Sequence, residues 1–413
     1  MNILLIHQYF LEKDDAGGSR WNEMTRMWSE QGHNITVLAG MVHYSSGEKR
    51  DKYKGKYTVI DDYSERVTVI RSHVSESYNV NFLGRLWGYF SFVFSSIYAG
   101  LFKTKSKFDV IIVTSPPLFV GITAYILSLF KRVPFVFEVR DLWPESAIDT
   151  GVLKNRVIIK LAYWFEAFIY KKARLINVLT PAFEETLLTK KGVPREKLIM
   201  IPNAADFSLS DELLNTFDRD QFRKEHKLDN KFVITYVGAH GVANHLIQVI
   251  ETAELLKGTP EVLFLLIGDG MQKPMLKEEV AKRNLENVRF INSVPKKEVF
   301  KYILASDIGS SVLKKVDTFK TVYSNKSFDY MACKKPIFML IDGVSRKLVE
   351  DANCGVYVEP ENSKVFAMDI LRYFELDTTI LNQIGERGYI YAKENFDRKI
   401  LSENYLNFIK NVL

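Results

Sequence analysis

The sequence predicts an α/β protein made of two doubly wound domains, each a Rossmann-like parallel sheet between helices. Short apolar runs alternate with amphipathic stretches along the whole chain, which is the pattern of repeated β–α–β units. The length of 413 residues suits two domains of about 200 residues each. The composition, 47% hydrophobic and 26% charged, is typical of a globular protein with sizeable cores.

The first half of the chain, residues 1–205, is predicted to form one of these domains. Apolar runs bounded by turn residues predict strands at Asn2–His7, Asn34–Ala39, Asp109–Thr114, Pro134–Val139, Leu175–Thr180 and Lys197–Ile201, with a polar hairpin at Tyr57–Arg71. Helical spacing predicts helices at Arg20–Gly32, Asn81–Lys103, Leu118–Phe130, Asn155–Arg174 and Pro181–Lys190.

The second half, residues 206–395, begins with a polar linker at Ser208–Asn230 and repeats the pattern. The predicted strands are Phe232–Val237, Glu261–Ile267, Val288–Ile291, Asp307–Leu313, Pro336–Ile341 and Cys354–Val358. The predicted helices are Val242–Lys257, Met271–Arg283, Lys364–Leu376, Thr379–Glu394 and Arg398–Val412. The triplet Asp218–Asp220 has the form of a metal-binding D-x-D, but a helix N-cap explains it better in this linker.

Charge and cysteine content narrow the classes of ligand and compartment. A net charge of +6 suits an anionic ligand or an anionic membrane surface better than a nucleic acid, whose binders concentrate their charge in runs. Cys333 and Cys354 have no metal-ligand spacing and indicate a reducing compartment. Met1–His7 is predicted to be a strand and not a signal peptide. The apolar stretch Phe82–Phe102 contains several polar residues, which favours an interfacial helix over a membrane span.

The segment Thr321–Pro336 carries most of the functional information. It is predicted to be a loop, a short helix and the start of a strand. Lys326 and Asp329 are three residues apart and share one face of that helix. Exposed N–H groups at the helix start, together with Lys326, could hold an anion, and the Asp329 carboxylate could accept hydrogen bonds from the two hydroxyls of a ribose. A surface helix with an ordinary ion pair is the alternative.

Three further segments lie where doubly wound sheets place their ligands, beyond the carboxyl ends of strands. Arg140 and Asp141 follow the strand Pro134–Val139, although a buried structural ion pair would explain them equally well. Glycine pairs follow two other strands and would let backbone N–H groups approach an anion, or would simply make flexible loops. These pairs are Gly17 with Gly18 and Gly238 with Gly241.

Four of these segments together resemble one family. The pattern N-K-x-F-D-Y-x-A-x-x-K-P at 325–336 is similar to the sugar-nucleotide motif of the retaining GT-B glycosyltransferases of family GT4. The closest similarity is to the branch that builds O-antigen and capsule and includes L-fucosamine transferases. The segments E-V-R-D-L-W-P-E-S at 138–146, Y-V-G-A-H-G-V-A-N at 236–244 and P-N-A-A-D at 202–206 resemble the same branch.

The resemblance implies a GT-B fold, with two Rossmann-like domains facing a cleft. Residues 1–205 would bind the acceptor, residues 206–395 the nucleotide sugar, and the last helix, about 396–413, would cross back to the first domain. Arg140 and Asp141 would lie by the reacting centre, and no metal or cofactor is expected. The implied donor ligands are Gly17, Gly18, Gly238, His240, Gly241, Lys273, Val294, Asn325, Lys326 and Asp329.

Three departures from the family pattern bear on the donor site. Thr321 stands where the family has a glutamate that contacts the donor sugar, and Ala239 and Asn244 stand where most members have an arginine and a lysine. The charge of a diphosphate would therefore be met by backbone N–H groups and Lys326, with His240 or Lys273 as further candidates. The contact with the donor sugar would differ from the usual one.

The implied reaction is transfer, with retention, of an N-acetylated and possibly 6-deoxy sugar such as FucNAc from a UDP-sugar. The implied acceptor is a polyprenyl-diphosphate-linked saccharide, and the protein would be cytoplasmic and peripheral on the inner face of the cytoplasmic membrane, with no nucleic-acid partner. Two alternatives remain open: a UDP-sugar 2-epimerase of the same fold, and a catalytically silent UDP-binding subunit. The epimerase would need a compact set of carboxylates and a histidine around the sugar, which the sequence does not display.

Overall fold

The computed structural model describes residues 1–13, 15, 19–42, 48–79, 82–149 and 153–413. The chain forms two compact units. Unit 1 comprises Met1–Pro202 with Leu401–Leu413, and unit 2 comprises Asn203–Ile400. The first glycine pair of the sequence prediction, Gly17 and Gly18, lies outside the described residues.

Unit 1 contains an eight-stranded sheet in the order β3-β4-β2-β1-β5-β6-β7-β8. Neighbouring strands are parallel, except that β3 and β4 form the predicted antiparallel hairpin. The strands are β1 Asn2–Ile6, β2 Asn34–Gly40, β3 Thr58–Ser64, β4 Val67–Ser72, β5 Val110–Thr114, β6 Phe135–Val139, β7 Leu175–Val178 and β8 Leu198–Met200.

Helices cover both faces of this sheet. They are α1 Arg20–Glu30, α2 Phe82–Phe102, α3 Val120–Lys131, α4 Glu145–Asp149, α5 Arg156–Lys172 and α6 Pro181–Thr189. Helices α2, α3 and α5 lie side by side in one layer, in which Ser96 Oγ and Thr123 Oγ1 are 2.9 Å apart and Gly121 packs against Ile169. No helix in the described part of the chain is long and apolar enough to span a membrane.

Unit 2 contains a six-stranded parallel sheet in the order β11-β10-β9-β12-β13-β14. Its strands are β9 Phe232–Val237, β10 Val262–Ile267, β11 Val288–Ile291, β12 Ile308–Val312, β13 Ile337–Leu340 and β14 Gly355–Tyr357. Its helices are α7 Phe207–Thr216, α8 Arg219–Glu225, α9 Ile247–Leu255, α10 Lys273–Lys282, α11 Lys296–Ala305, α12 Asn325–Ala332, α13 Val344–Asp351, α14 Ser363–Phe374 and α15 Thr378–Asn395.

The last helix, α16 at Arg398–Lys410, packs within unit 1 from Leu401 onward. It lies with α1 on the side of the sheet away from α2, α3 and α5, because both contribute to one core with alternate residues of the strands. The rings of Trp21, Trp28 and Tyr405 contact one another there, and Trp28 Nε1 donates to the carbonyl of Ser402 at 3.0 Å.

The two parallel sheets with helices on both faces confirm the predicted fold class. One local prediction was wrong, because the helix predicted from Val242 begins only at Ile247, after a single 3-10 turn and a left-handed conformation (φ 46°) at His245. The helix N-cap predicted in the linker is confirmed. Asp218 caps α8 by accepting a hydrogen bond from the Gln221 N–H at 2.9 Å, and α7 precedes it in the linker.

Candidate functional site

Helix α12 is held at the carboxyl edge of the unit 2 sheet by Tyr330. The buried Tyr330 hydroxyl lies 3.2 Å and 3.1 Å from the carbonyl oxygens of Thr235 and Ser310, and it accepts a hydrogen bond from the Val237 N–H at 3.1 Å. The ring fits because Gly309 has no side chain, and a Cβ added there would overlap it. One side chain therefore fixes α12 to both β9 and β12.

This anchoring places Lys326 beside the turn that follows β9. Its Nζ lies 4.8 Å from the centre of the Tyr236 ring, and a Cβ added to Gly238 would lie 3.2 Å from its Cε. Gly238 also has a φ of 143°, which side-chain-bearing residues rarely adopt. Burial lowers the pKa of Lys326 to about 8, although the nearby Asp329 acts in the opposite direction. An anion beside this ammonium would favour its charged form.

The loops that follow β9 and β10 interlock. The Gly238 N–H donates to the carbonyl of Ile267, and the His240 N–H donates to that of Asp269, both at 2.9 Å. A Cβ added to Gly268 would overlap the carbonyl oxygen of Gly238. The path of the β9 loop therefore depends on the absence of a side chain in the β10 loop.

His240 is buried, and neither of its ring nitrogens has a hydrogen-bond partner within the described chain. Its ring lies 6.0 Å from those of Tyr236 and Phe290. Burial, with Lys273 nearby, lowers the pKa of His240 to about 4, so the imidazole is neutral at pH 7. It then offers one N–H donor and one acceptor, and buried polar atoms in proteins nearly always have a partner. A polar ligand group would supply that partner.

Lys273 differs from the sequence prediction, because its ammonium is already surrounded by protein oxygens. Its Nζ lies 2.7 Å from the Gly268 carbonyl, 2.7 Å from Asp269 Oδ1, 2.8 Å from Asn292 Oδ1 and 3.2 Å from the Ile291 carbonyl. An ammonium has three donors, so four acceptors occupy them fully. Lys273 ties the ends of β10 and β11 together, and contact with a donor phosphate would require one of these bonds to break.

The other predicted donor ligands of unit 2 lie around this centre. Asp329 is half-buried one turn after Lys326, and Asn325 is exposed at the start of α12. Gly241 precedes the 3-10 turn, and Val294 is half-buried against a neighbouring apolar cluster. The structure thus brings Gly238, Lys326 and His240 together around Tyr236, with Asp329 adjacent to Lys326.

In unit 1, Arg140 and Asp141 follow β6, as the sequence predicts for a ligand-binding edge. Asp141 Oδ2 accepts a hydrogen bond from Ser146 Oγ at 2.8 Å. Burial raises the pKa of Asp141, and the negative charge of Glu145 adds to this effect. Arg20 Nη2 lies 3.2 Å from Glu138 Oε2, which forms a buried ion pair close to the end of β6.

Sequence reasoning missed His7 as part of this edge, although its position directly after β1 could have indicated it. His7 is buried, and its Nδ1 has no partner within the described chain. Burial and the positive charges of Arg140 and Arg71 lower its pKa well below the usual value. The edge therefore contains a neutral imidazole near Arg140.

Sequence reasoning also missed Lys191, which holds a cluster of two carboxylates next to Asp141. Lys191 Nζ lies 2.8 Å from Glu145 Oε1 and 2.7 and 2.6 Å from the two oxygens of Glu166. The Tyr170 hydroxyl donates to Glu166 at 2.9 Å. Burial raises the pKa of Glu166 to about 7, although Lys191 lowers it. Lys191 belongs to none of the sequence motifs, so spacing gave no signal for it.

Comparison with protein families matches almost the whole chain to two models. A "Glycosyl transferase 4-like domain" matches residues 16–204, and "Glycosyl transferases group 1" matches residues 218–390. The chain is 23% identical over 404 residues to the putative colanic acid biosynthesis glycosyl transferase WcaI of Escherichia coli K12, covering 94% of this chain and 95% of WcaI.

Two further comparisons agree with these matches. The probable glycosyltransferase WbjE of Pseudomonas aeruginosa is 22% identical, over 73% of this chain and 72% of WbjE. Among solved structures, Anabaena HepE in complex with UDP superimposes over the full length of both chains, with a TM-score of 0.71 and 18% identity. At that identity the structural match shows the fold alone.

Proposed function

We propose the following function on the premise that this chain belongs to the GT4 glycosyltransferases of the GT-B fold. It transfers a sugar from a UDP-sugar to a lipid-linked saccharide during synthesis of a surface polysaccharide, and it retains the anomeric configuration. The donor sugar is N-acetylated and possibly 6-deoxy, as in FucNAc. The relatives WcaI and WbjE and the UDP complex of HepE support the reaction class, the pathway type and the nucleotide.

The placement of Lys326 against the Gly238 turn is the observation that carries this proposal. A half-buried ammonium beside the Gly238 turn suits a diphosphate, because charge and backbone N–H groups can act on it together. Asp329 accepts hydrogen bonds from the ribose hydroxyls, and the unpartnered His240 ring binds a diphosphate oxygen or the sugar. The remaining predicted ligands are proposed to contact the donor less specifically, mainly through backbone atoms. They are Gly17, Gly18, Gly241, Val294 and Asn325.

Arg140 and Asp141 are proposed to act at the reacting centre. The bond from the anomeric carbon to the distal phosphate of UDP breaks, and the acceptor oxygen bonds to the same face of the sugar. Ionised Asp141 would take the proton of the acceptor hydroxyl, and Arg140 would stabilise the charge on the departing diphosphate. The raised pKa makes the Asp141 carboxylate a stronger base than an ordinary aspartate.

The acceptor is proposed to be a saccharide on polyprenyl diphosphate, reached at the inner face of the cytoplasmic membrane. A peripheral protein fits this role, and the resemblance to the O-antigen and capsule branch supports it. Thr321, whose hydroxyl donates to the Thr318 carbonyl at 2.6 Å, stands where the family has a glutamate. We therefore expect the contact with the donor sugar to differ from that of most relatives.

Calorimetric and thermal-shift titrations with UDP, GDP, ADP and dTDP test the nucleotide site. Selective UDP binding that is lost in Asp329→Ala and kept in Asp220→Ala, an exposed control on α8, would support the proposal. Preference for another nucleotide would change the donor class, and no nucleotide binding at all would overturn the proposal.

The two alternative functions have distinct outcomes in a second assay. Conversion of UDP-GlcNAc to its 2-epimer without any acceptor, followed by NMR, would favour an epimerase. Tight UDP binding without transfer to lipid extracts would favour a silent subunit.

A further inference from the structure

Helix α5 has one buried face and, opposite it, an exposed apolar stripe, although the outward face of a helix at the surface of a domain is usually polar. Ala162, Glu166 and Ile169, at spacings of four and three, point into unit 1 and are at most 6% exposed. A second stripe at the same spacings consists of Val157, Leu161 and Trp164, which are 66%, 58% and 66% exposed. The second stripe packs on nothing within the described chain that would remove it from solvent.

The neighbouring helices of the same layer extend this exposed apolar surface. On α2, residues at spacings of seven, four and four form one stripe on the outside of the helix. These residues are Trp87, Phe94, Tyr98 and Phe102, with exposures of 56%, 58%, 37% and 70%. At the end of α3, Leu129 and Phe130 are 58% and 72% exposed. Together these side chains of α2, α3 and α5 are called the outer face.

The charges on these helices have one sign. The sequences of α2 and α3 contain no Asp or Glu, and the single acidic residue of α5, Glu166, is buried against Lys191. Lys160, Lys171 and Lys172 of α5 are exposed. Exposed aromatic and aliphatic side chains on helices whose own exposed charges are all basic fit the interface of an anionic bilayer, where rings enter the headgroup region and lysines bind phosphates.

A row of aromatic rings connects the outer face to the candidate catalytic segment. Phe165 of α5 stacks on Phe119 at 5.9 Å, and Phe119 contacts Trp143 edge-on at 5.6 Å. Trp143 follows Asp141 after one residue. All three rings are half-buried, so an apolar path leads from the outer face to the end of β6.

We infer that the outer face docks on the anionic surface of a lipid bilayer, and that the rings of Phe165, Phe119 and Trp143 receive the chain of the lipid-linked acceptor. This inference rests on the proposed function for the identity of the acceptor, whereas the docking itself does not require it. It assigns membrane binding to named residues of one helical layer.

Flotation with lipid vesicles tests the docking. We expect the purified chain to float with vesicles that contain phosphatidylglycerol and to bind pure phosphatidylcholine at least about tenfold more weakly. The double variant Leu161→Glu/Trp164→Glu should lose about tenfold or more of the binding, because two carboxylates would enter the interface. The control is Val365→Glu/Met368→Glu on α14, which changes two exposed apolar residues three apart and should leave flotation unchanged.

Tryptophan quenching locates the contact. Brominated phosphatidylglycerol quenches only rings that reach the acyl chains, and Trp21 and Trp28 are buried in unit 1. We expect quenching of the native protein, and a clear reduction in Trp164→Phe. If neither Trp164→Phe nor Trp87→Phe reduces the quenching, the assignment of the outer face is overturned.

Two other occupants of the outer face give different results. A second copy would produce a dimer on gel filtration that the Leu161→Glu/Trp164→Glu variant dissociates, without any lipid dependence. A protein partner would leave the purified chain unbound to all vesicles. Either result overturns the inference.

Nucleotide titration separates this inference from the proposed function. A chain that binds UDP but no vesicles keeps the proposed function and loses the docking inference. A chain that binds anionic vesicles but no nucleotide keeps the docking inference and loses the proposed function. A thermal midpoint of the double variant within the range of the α14 control excludes misfolding as the cause of lost flotation.

Discussion

The carboxyl edges of the two sheets have the same architecture and opposite chemistry. In unit 2 the edge is built from interlocked glycine turns around the ammonium of Lys326. In unit 1 it is built from carboxylates, where Asp141 lies near the Glu145–Lys191–Glu166 cluster. Burial shifts both edges toward neutrality, since it lowers the pKa of Lys326 to about 8 and raises that of Glu166 to about 7.

This difference shows what each edge is suited to receive. The unit 2 edge is suited to a ligand that brings negative charge, because such a ligand stabilises the charged form of the Lys326 ammonium. The unit 1 edge can hold or accept a proton near neutral pH, which suits work on a hydroxyl group. One fold can thus supply an anion site and a proton-handling site by changing only the residues that follow its strands.

The largest expected effect comes from making the unit 2 edge bulkier. Gly268→Ala should weaken UDP binding by roughly a hundredfold or more, because its Cβ overlaps the Gly238 carbonyl and backbone cannot rotate away. Calorimetry measures this loss. Gly258→Ala is the control, since nothing lies within 4 Å of a Cβ added there. Equal UDP affinities for the two variants would show that the interlock does not shape the site.

Removing the charge of the unit 2 edge should have the next largest effect. Lys326→Met should weaken UDP binding by about thirtyfold, or about 2 kcal/mol, through loss of a charge-assisted contact. In the native protein the affinity should fall as pH rises above about 8, because the free ammonium then loses its proton. Titrations at several pH values measure both effects. A flat pH dependence of UDP affinity up to pH 9 and above would contradict the role of Lys326, and the exposed Lys282→Met serves as control.

The anchor of α12 should contribute a smaller, structural effect. Tyr330→Phe removes the hydroxyl that forms hydrogen bonds with the backbone of Thr235, Ser310 and Val237. It should lower the free energy of unfolding by about 1–3 kcal/mol. Tyr405→Phe is a matched control, because that buried hydroxyl has no partner in the described chain. Denaturant unfolding compares the two. Losses of equal size would mean that the Tyr330 bonds do not hold the helix.

The smallest effect is expected from the acidic edge, as a change in pH dependence. Folded Glu166 retains its proton up to about pH 7, whereas the unfolded residue loses it near the ordinary glutamate value. Between these values the folded state binds more protons, so stability falls as pH rises. Glu166→Gln should reduce the slope of this fall by up to about 1 kcal/mol per pH unit, measured by denaturant unfolding at pH 5 and at about pH 8. The control is Glu185→Gln, on the exposed side of α6, which should leave the pH dependence of stability unchanged. If Glu166→Gln also leaves it unchanged, the raised pKa of Glu166 is contradicted.

Most of the fold could be predicted because apolar periodicity decides strands and helices locally. The α12 segment and the succession of strands along the chain followed from that pattern, and the two sheets contain these strands. The start of α9 could not be predicted, because the left-handed residue His245 interrupts a run that has helical spacing. Sequence gives no direct signal for a single backbone angle at a residue other than glycine.

The candidate site was predictable where chemistry and spacing lie in one segment, as with Lys326 and Asp329. It was not predictable where partners come from distant segments. Lys273 appeared to be a free cation, but its oxygens come from two strand ends that meet only in the fold. The roles of Lys191 and His7 could not be predicted for the same reason. The fold brings both residues to the carboxyl edge of the unit 1 sheet, whereas the motif that marks this edge, at Arg140 and Asp141, lies elsewhere in the chain.

The fit of the Tyr330 ring over Gly309 has a consequence for the evolution of this chain. Neither residue can change alone, since a side chain at position 309 displaces the ring, and a smaller residue at position 330 leaves a void and removes the hydroxyl that bonds three backbone groups. The pair should therefore behave epistatically, so that Gly309→Ala is tolerated far better in a background with a smaller residue at position 330. Lineages that lose one member should be found to have replaced the other, and α12 should then be held by a different contact.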